Sequence, residues 1–310
     1  MRGRDQTFLS DLIGPEDQAI EAVVSRYQRV APAVTRFARS LSKNPNLRVR
    51  LGSEAAASSD EVVCDPRIFQ AAYHRNAPVT PDEVAIASAL HEVMHLVSTN
   101  LDEKRPLPEG WPVQGGEPPT SHPAEDQPDA EAEPAAEAEV DLLTALERTN
   151  KPVAEVLFFS LEDARQEAQG LAMYPGARSV LQDLYLSSLG QAISRSGSLS
   201  QFVLGCFLLT GGYVERELLE RRFEPRATAA LDDASHHCEL AADSGDPWEV
   251  AQLALELEAI ARSHGLISEV QTNTTHAKRR TAADAEAEKA RDGVDSVRMT
   301  SPILSDAESY

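Results

Sequence analysis

The chain has 310 residues and a formal net charge of -21 at pH 7, from 50 Asp and Glu against 29 Lys and Arg. That length suits one large domain or two small ones, and the abundance of Ala, Leu and Glu favours helix. The acidic balance argues against nucleic acid as a partner, because a phosphate backbone would be repelled.

The N-terminus, Met1-Arg2-Gly3-Arg4-Asp5, is polar, and no apolar run follows it. No secretory signal or membrane span is expected, since the longest candidate, Phe202 to Thr210, is too short. A cytoplasmic location is the default expectation. Cys64, Cys206 and Cys238 are widely spaced and odd in number, which suggests neither a disulfide framework nor a zinc ribbon. They read as small buried residues.

In chain order, residues 15–43 carry Ile20, Val23, Val24, Tyr27 and Val30 at helical spacing, with Pro32 expected to kink or divide the helix. Asn44-Pro45-Asn46 breaks it. Leu47 to Leu51 alternates strictly, as a half-buried strand does, and Glu61 to Asp65 reads as a second strand after a Gly/Ser/Ala loop. A short helix is expected near Ile68 to Tyr73.

The next helix opens at Thr80-Pro81-Asp82-Glu83. Thr80 suits the N-cap, Pro81 the first helical position, and Glu83 completes a capping box. From Val84 to Val97 the residues are almost wholly apolar, which predicts a buried helix. Inside it stands His91-Glu92-Val93-Met94-His95, an H-E-x-x-H string. Residues four apart share a helix face, so both imidazoles can reach one metal ion. Glu92 sits one position round, where it can take a proton from a metal-bound water. The competing reading is a core helix whose histidines bond to backbone carbonyls and whose Glu92 pairs with an arginine. A bound cation would satisfy all three buried groups at once.

From Pro106 to about Val140 the composition turns to Pro, Gly, Glu, Asp and Ala, and no Lys or Arg occurs between Arg105 and Arg148. Such a segment cannot bury enough apolar surface to order itself, so a disordered acidic insert is expected. After Asp141 helices are expected at 152–173, 177–195, 199–222, 226–241 and 247–263, punctuated by Gly170, Pro175-Gly176, Gly197, Pro225 and Gly245-Asp246-Pro247. Beyond Ile267 the chain turns polar and charged.

A catalytic zinc site needs a third protein ligand and an open fourth position. The apolar stretch Val156 to Glu167 carries two adjacent carboxylates, Glu162 and Asp163. Either can ligate, and Glu162 is the one expected to act with His91 and His95. Glu167, one turn after Asp163, can hold a ligand histidine in place, and Arg165 can balance the acidic cluster. The rival reading is a set of i,i+4 salt bridges on an exposed face. His236-His237 is a weaker ligand candidate because neighbours on a helix point apart. His74 could contact substrate; His122, His264 and His276 carry no signal.

An H-E-x-x-H helix followed by Leu161-Glu162-Asp163-x-Arg165-x-Glu167 resembles the metallopeptidase-like region of cobaltochelatase T-subunit-like proteins. It is also similar to bacterial and phage proteins that join such a region to a von Willebrand A domain. The likeness covers roughly residues 15–220. It implies a gluzincin-like zinc site with an acidic third ligand and, for many relatives, an AAA-type ATPase partner. It also implies a small sheet beside the motif helix, whose edge strand can pair with an extended substrate. Only about 45 residues follow residue 265, too few for a von Willebrand A domain.

The expected fold is therefore mainly α (α+β). A zincin-like N-terminal subdomain spans 1–105 with its active helix at 80–98, and the acidic insert spans 106–140. A helical subdomain at 141–265 carries the third ligand, and a disordered charged tail spans 266–310. The expected function is a zinc metallopeptidase hydrolysing peptide bonds through a zinc-bound water, with Glu92 as general base and His91, His95 and Glu162 or Asp163 on the metal. The alternative is a non-enzymatic scaffold with a structural or vestigial zinc site.

Overall fold

In the computed structural model, residues 18–52, 56–64, 79–101, 103–113 and 139–267 are described. Among them, helix α1 (Gln18–Ser42) is followed by strands β1 (Arg48–Leu51), β2 (Ala56–Ala57) and β3 (Glu61–Cys64), then helix α2 (Pro81–Ser98). Seven further helices follow: α3 (Leu142–Thr149), α4 (Pro152–Gly170), α5 (Pro175–Arg195), α6 (Ser198–Thr210), α7 (Arg216–Glu220), α8 (Pro225–Asp243) and α9 (Pro247–Ser263). The protein is mainly helical with one small sheet. No described helix is long and apolar enough to cross a membrane.

Pro32 neither ends nor divides α1. It lies on the exposed face, where water can take the carbonyl that its missing N–H leaves unpaired. The opposite face buries Tyr27, Val34 and Ala38 against Ala85, Ala89 and Val93 of α2. β3 is the central strand, parallel to β1 and antiparallel to β2. The two-residue β2 lies in the stretch expected to be only loop, too short to leave an alternating pattern. Arg48 and Arg50 stand on the outer face and reach Glu61, while Val62 and Cys64 pack under α2.

α2 begins as its cap residues dictate. Thr80 Oγ1 accepts from the Glu83 amide at 3.3 Å, and the Glu83 carboxylate accepts from the Thr80 amide at 2.7 Å. Neighbours then surround it: α1 on one side, β2 and β3 on another, α4 and α5 on the rest. That enclosure explains a helix apolar nearly all round.

α4 is the other central helix, enclosed by α2, α6, α8 and α9. Gly170 at its end lets the two central helices approach, because a Cβ there would strike the Met94 sulfur. The expected helix over 199–222 is two helices, α6 and α7. They part at Gly211-Gly212, where Gly212 adopts φ +62°. α3 was not among the helices expected after Asp141; Asp141 caps its start and Asn150, at φ 54°, ends it.

Both ends of the expected acidic insert, residues 106–113 and 139–140, are among the described residues. Arg105 and Val140 pair backbone to backbone at 3.0 and 2.9 Å. Trp111 is buried, donates its indole N–H to the Ala145 carbonyl at 3.0 Å, and sits 5.8 Å from the Trp248 ring. One buried tryptophan orders residues that polarity alone would leave loose. At the other end, Leu266 and Ile267 are buried beyond Gly265, whose φ of +67° closes α9. The expected helix at 68–73, residues 114–138 of the insert, His74, His122, His276 and the tail after Ile267 lie outside the described residues.

Candidate metal centre

α2 and α4 cross antiparallel, with His91 opposite Glu167, His95 opposite Asp163, and Thr99 opposite Glu162. The i, i+4 pair of histidines thus meets the i, i+3, i+4 face of α4 formed by Asp163, Gln166 and Glu167. His91 Nε2 and His95 Nε2 are 3.4 Å apart. His95 Nε2 is also 3.4 Å from Asp163 Oδ1. One ligand atom from each of these three residues lies within 4.8 Å of the others, and all three side chains are buried. His91, His95 and Asp163 therefore form a group that could hold a metal ion.

Asp163 is the informative member. It is 1 % exposed, and neither carboxylate oxygen accepts a hydrogen bond among the described residues. Burial pushes its carboxyl well above the usual range. The neighbouring His91 opposes this, and the Glu167, Glu92 and Glu162 charges add to it. A buried carboxylate without donors is costly unless a cation compensates it.

The adjacent acid behaves differently. Glu162 accepts from Arg165 Nε at 2.8 Å, from Arg165 Nη2 at 2.5 Å and from Thr99 Oγ1 at 2.6 Å. Arg165, buried with it, also donates to the carbonyls of Ser98 at 2.9 Å and Ser244 at 3.3 Å. Glu162 is thus spent on locking α4 to the end of α2, and it is not among the three residues of the cluster. Successive helix positions are turned about 100° from each other, so only one of the two acids can face the histidines. That one is Asp163.

Glu167 lies against the His91 ring. Its Oε1 lies 2.6 Å from His91 Nδ1 and accepts from Tyr185 Oη at 2.7 Å, while its Oε2 accepts from Tyr213 Oη. A carboxylate on Nδ1 fixes which way the imidazole faces and leaves Nε2 aimed at His95. Burial alone would depress the His91 pKa. The Glu167 hydrogen bond and the Glu167, Asp163 and Glu92 charges outweigh it, and His91 is raised to about 10. Burial, with the charges of His91 and Arg165, drives His95 well below its ordinary value. One histidine holds a proton that a metal would displace; the other keeps its lone pair.

Glu92, 1 % exposed on the same helix, lies close enough for its charge to raise both His91 and Asp163. The other candidates stand apart. His236 faces Glu239 at 3.7 Å, His237 faces Glu256 at 3.2 Å, and His264 faces Asp233 at 2.8 Å. All three cysteines are buried and free. Gln166, Tyr185 and Tyr213 are not among the residues that the sequence pattern marks for the site. Gln166 could have been found by its i+3 spacing from Asp163, whereas the two tyrosines come from distant segments with no local signal.

No family model, no curated protein and no solved structure matches the chain.

Proposed function

We propose that the chain is a zinc-dependent hydrolase of peptide bonds, with His91, His95 and Asp163 on the metal and Glu92 as general base. The observation that carries this reading is the Asp163 carboxylate, buried without hydrogen-bond donors beside two imidazole nitrogens 3.4 Å apart. Donors about 2.05 Å from a zinc ion at tetrahedral angles lie about 3.3 Å from one another. The His91–His95 and His95–Asp163 separations, both 3.4 Å, fit that figure. Among the described residues the cluster offers three protein ligands, the number that goes with an open catalytic position.

A zinc ion held there would act as a Lewis acid and lower the pKa of water to about 7. The chain's own residues would do the rest. Glu92, a buried carboxylate beside His91, takes a proton from the attacking water and returns it to the leaving amine. Glu167 keeps His91 oriented through both half-steps, and the Glu162–Arg165 pair holds α4 against α2 so that Asp163 stays in reach. The resemblance to zincin metallopeptidase regions, with β1–β3 beside α2, supports a peptide as substrate.

Glu92→Gln should keep stoichiometric zinc and lose hydrolysis of a casein-derived peptide mixture. Hydrolysis that survives this change would remove Glu92 from the mechanism.

A second reading is a structural or vestigial zinc site in a scaffold, with an AAA-type ATPase as partner. It is favoured by the burial of the site: His91, Glu92, His95 and Asp163 are each at most 4 % exposed. Zinc that raises the melting temperature of a protein inert toward all peptides would decide for it.

A further inference from the structure

Gln166 is fully buried on α4, between Asp163 and Glu167. Its carboxamide nitrogen is 2.7 Å from His95 Nε2 and 3.5 Å from the His91 carbonyl oxygen. Its carboxamide oxygen has no hydrogen-bond partner among the described residues, and neither has His95 Nδ1. The polar contacts of the His95 ring therefore gather on Nε2.

An imidazole nitrogen has one lone pair in the plane of its ring. To accept an amide N–H, His95 Nε2 must be unprotonated, with the ring proton on Nδ1. That is also the tautomer in which Nε2 can ligate a metal. The two uses are mutually exclusive, since one lone pair cannot serve both an N–H and a cation. The His91 carbonyl, already at 3.5 Å, is a second acceptor to which the amide can turn when the first is taken.

We propose that Gln166 is a positioning residue that reserves the His95 lone pair for a divalent cation and is displaced by it. This rests on His91, His95 and Asp163 being the metal ligands. Gln166 keeps His95 in the ligating tautomer and opposes loading by the strength of one hydrogen bond. An ordinary supporting residue would have the opposite effect, because its removal would weaken binding.

The sign of the change is the test. In the full chain, Gln166→Leu removes the donor with little change of volume. It should bind zinc about fivefold to tenfold more tightly in competition with a chromophoric chelator, the factor expected from one net hydrogen bond. Equal or weaker zinc binding by the variant, with the parent still binding zinc, overturns the proposal and leaves the metal site standing. A parent chain that binds no zinc overturns both. A second measurement needs no variant. The metal-free parent, labelled with nitrogen-15, should show a scalar coupling across the hydrogen bond between Gln166 Nε2 and His95 Nε2, and zinc should abolish it. A missing coupling in the metal-free chain also overturns the proposal.

Discussion

Neutralising each of the adjacent acids of α4 should give opposite results. Asp163→Asn removes a charge that burial disfavours and that no hydrogen bond supports among the described residues. Its folded pKa lies above the unfolded value, so the ionised group opposes folding once the pH passes its ordinary range. The metal-free variant should be at least as stable as the parent. Zinc binding should collapse. An apparent binding energy of about 10–16 kcal/mol shared over three or four ligands gives about 2.5–5 kcal/mol for each, or roughly a hundredfold to several thousandfold in affinity. Glu162→Gln should do the reverse. It breaks a fully buried pair with Arg165, and stranding that guanidinium costs about 3–5 kcal/mol. At about 2–4 °C per kcal/mol for a body of this size, the melting temperature should fall by roughly 6–20 °C. Zinc, however, should still bind and still stabilise what remains folded. Scanning calorimetry with and without zinc, beside chelator competition, reads both quantities. Retention of parental zinc affinity by Asp163→Asn, or its loss in folded Glu162→Gln, would refute the assignment.

Other consequences are simpler. Glu167→Gln removes the charge facing His91 Nδ1, and zinc affinity should fall about 10-fold to 100-fold without loss of stoichiometry, as measured by titration. Tyr185→Phe and Tyr213→Phe each delete one donor to Glu167; each should cost about 1.5–3 kcal/mol in denaturant unfolding, the range for hydrogen bonds to charged groups. Gly170→Ala drives a Cβ into the Met94 side chain and should destabilise by about 1–3 kcal/mol; a rise in melting temperature would mean that α2 and α4 do not approach this closely. Trp111→Ala should cost about 3–5 kcal/mol in the same unfolding assay, whereas a neutral result would detach residues 103–113 from the body.

What could be read from the chain alone was whatever depends on near neighbours. The capping box at Thr80 and the shared face of His91 and His95 are local geometry, and local residues encode them. The placement of residues 103–113 is not legible in the chain for the converse reason. Trp111 is ordered by Ala145 and Trp248, which are far away in sequence. The choice between Glu162 and Asp163 lies between these cases. Their adjacency announces that one acid must face away from the other, but which one faces the histidines depends on how α4 is rotated against α2. Contacts that no short window contains set that rotation: Gly170 under Met94, Arg165 on the Ser98 and Ser244 carbonyls, and Glu167 under two tyrosines from α5 and from beyond α6. Arg165 is the clearest physical clue. A buried guanidinium demands a carboxylate, and three residues back along its own helix that carboxylate is Glu162. The acid taken by arginine leaves its neighbour to face the two histidines, so the acidic member of the cluster is found by asking first which carboxylate the arginine has claimed.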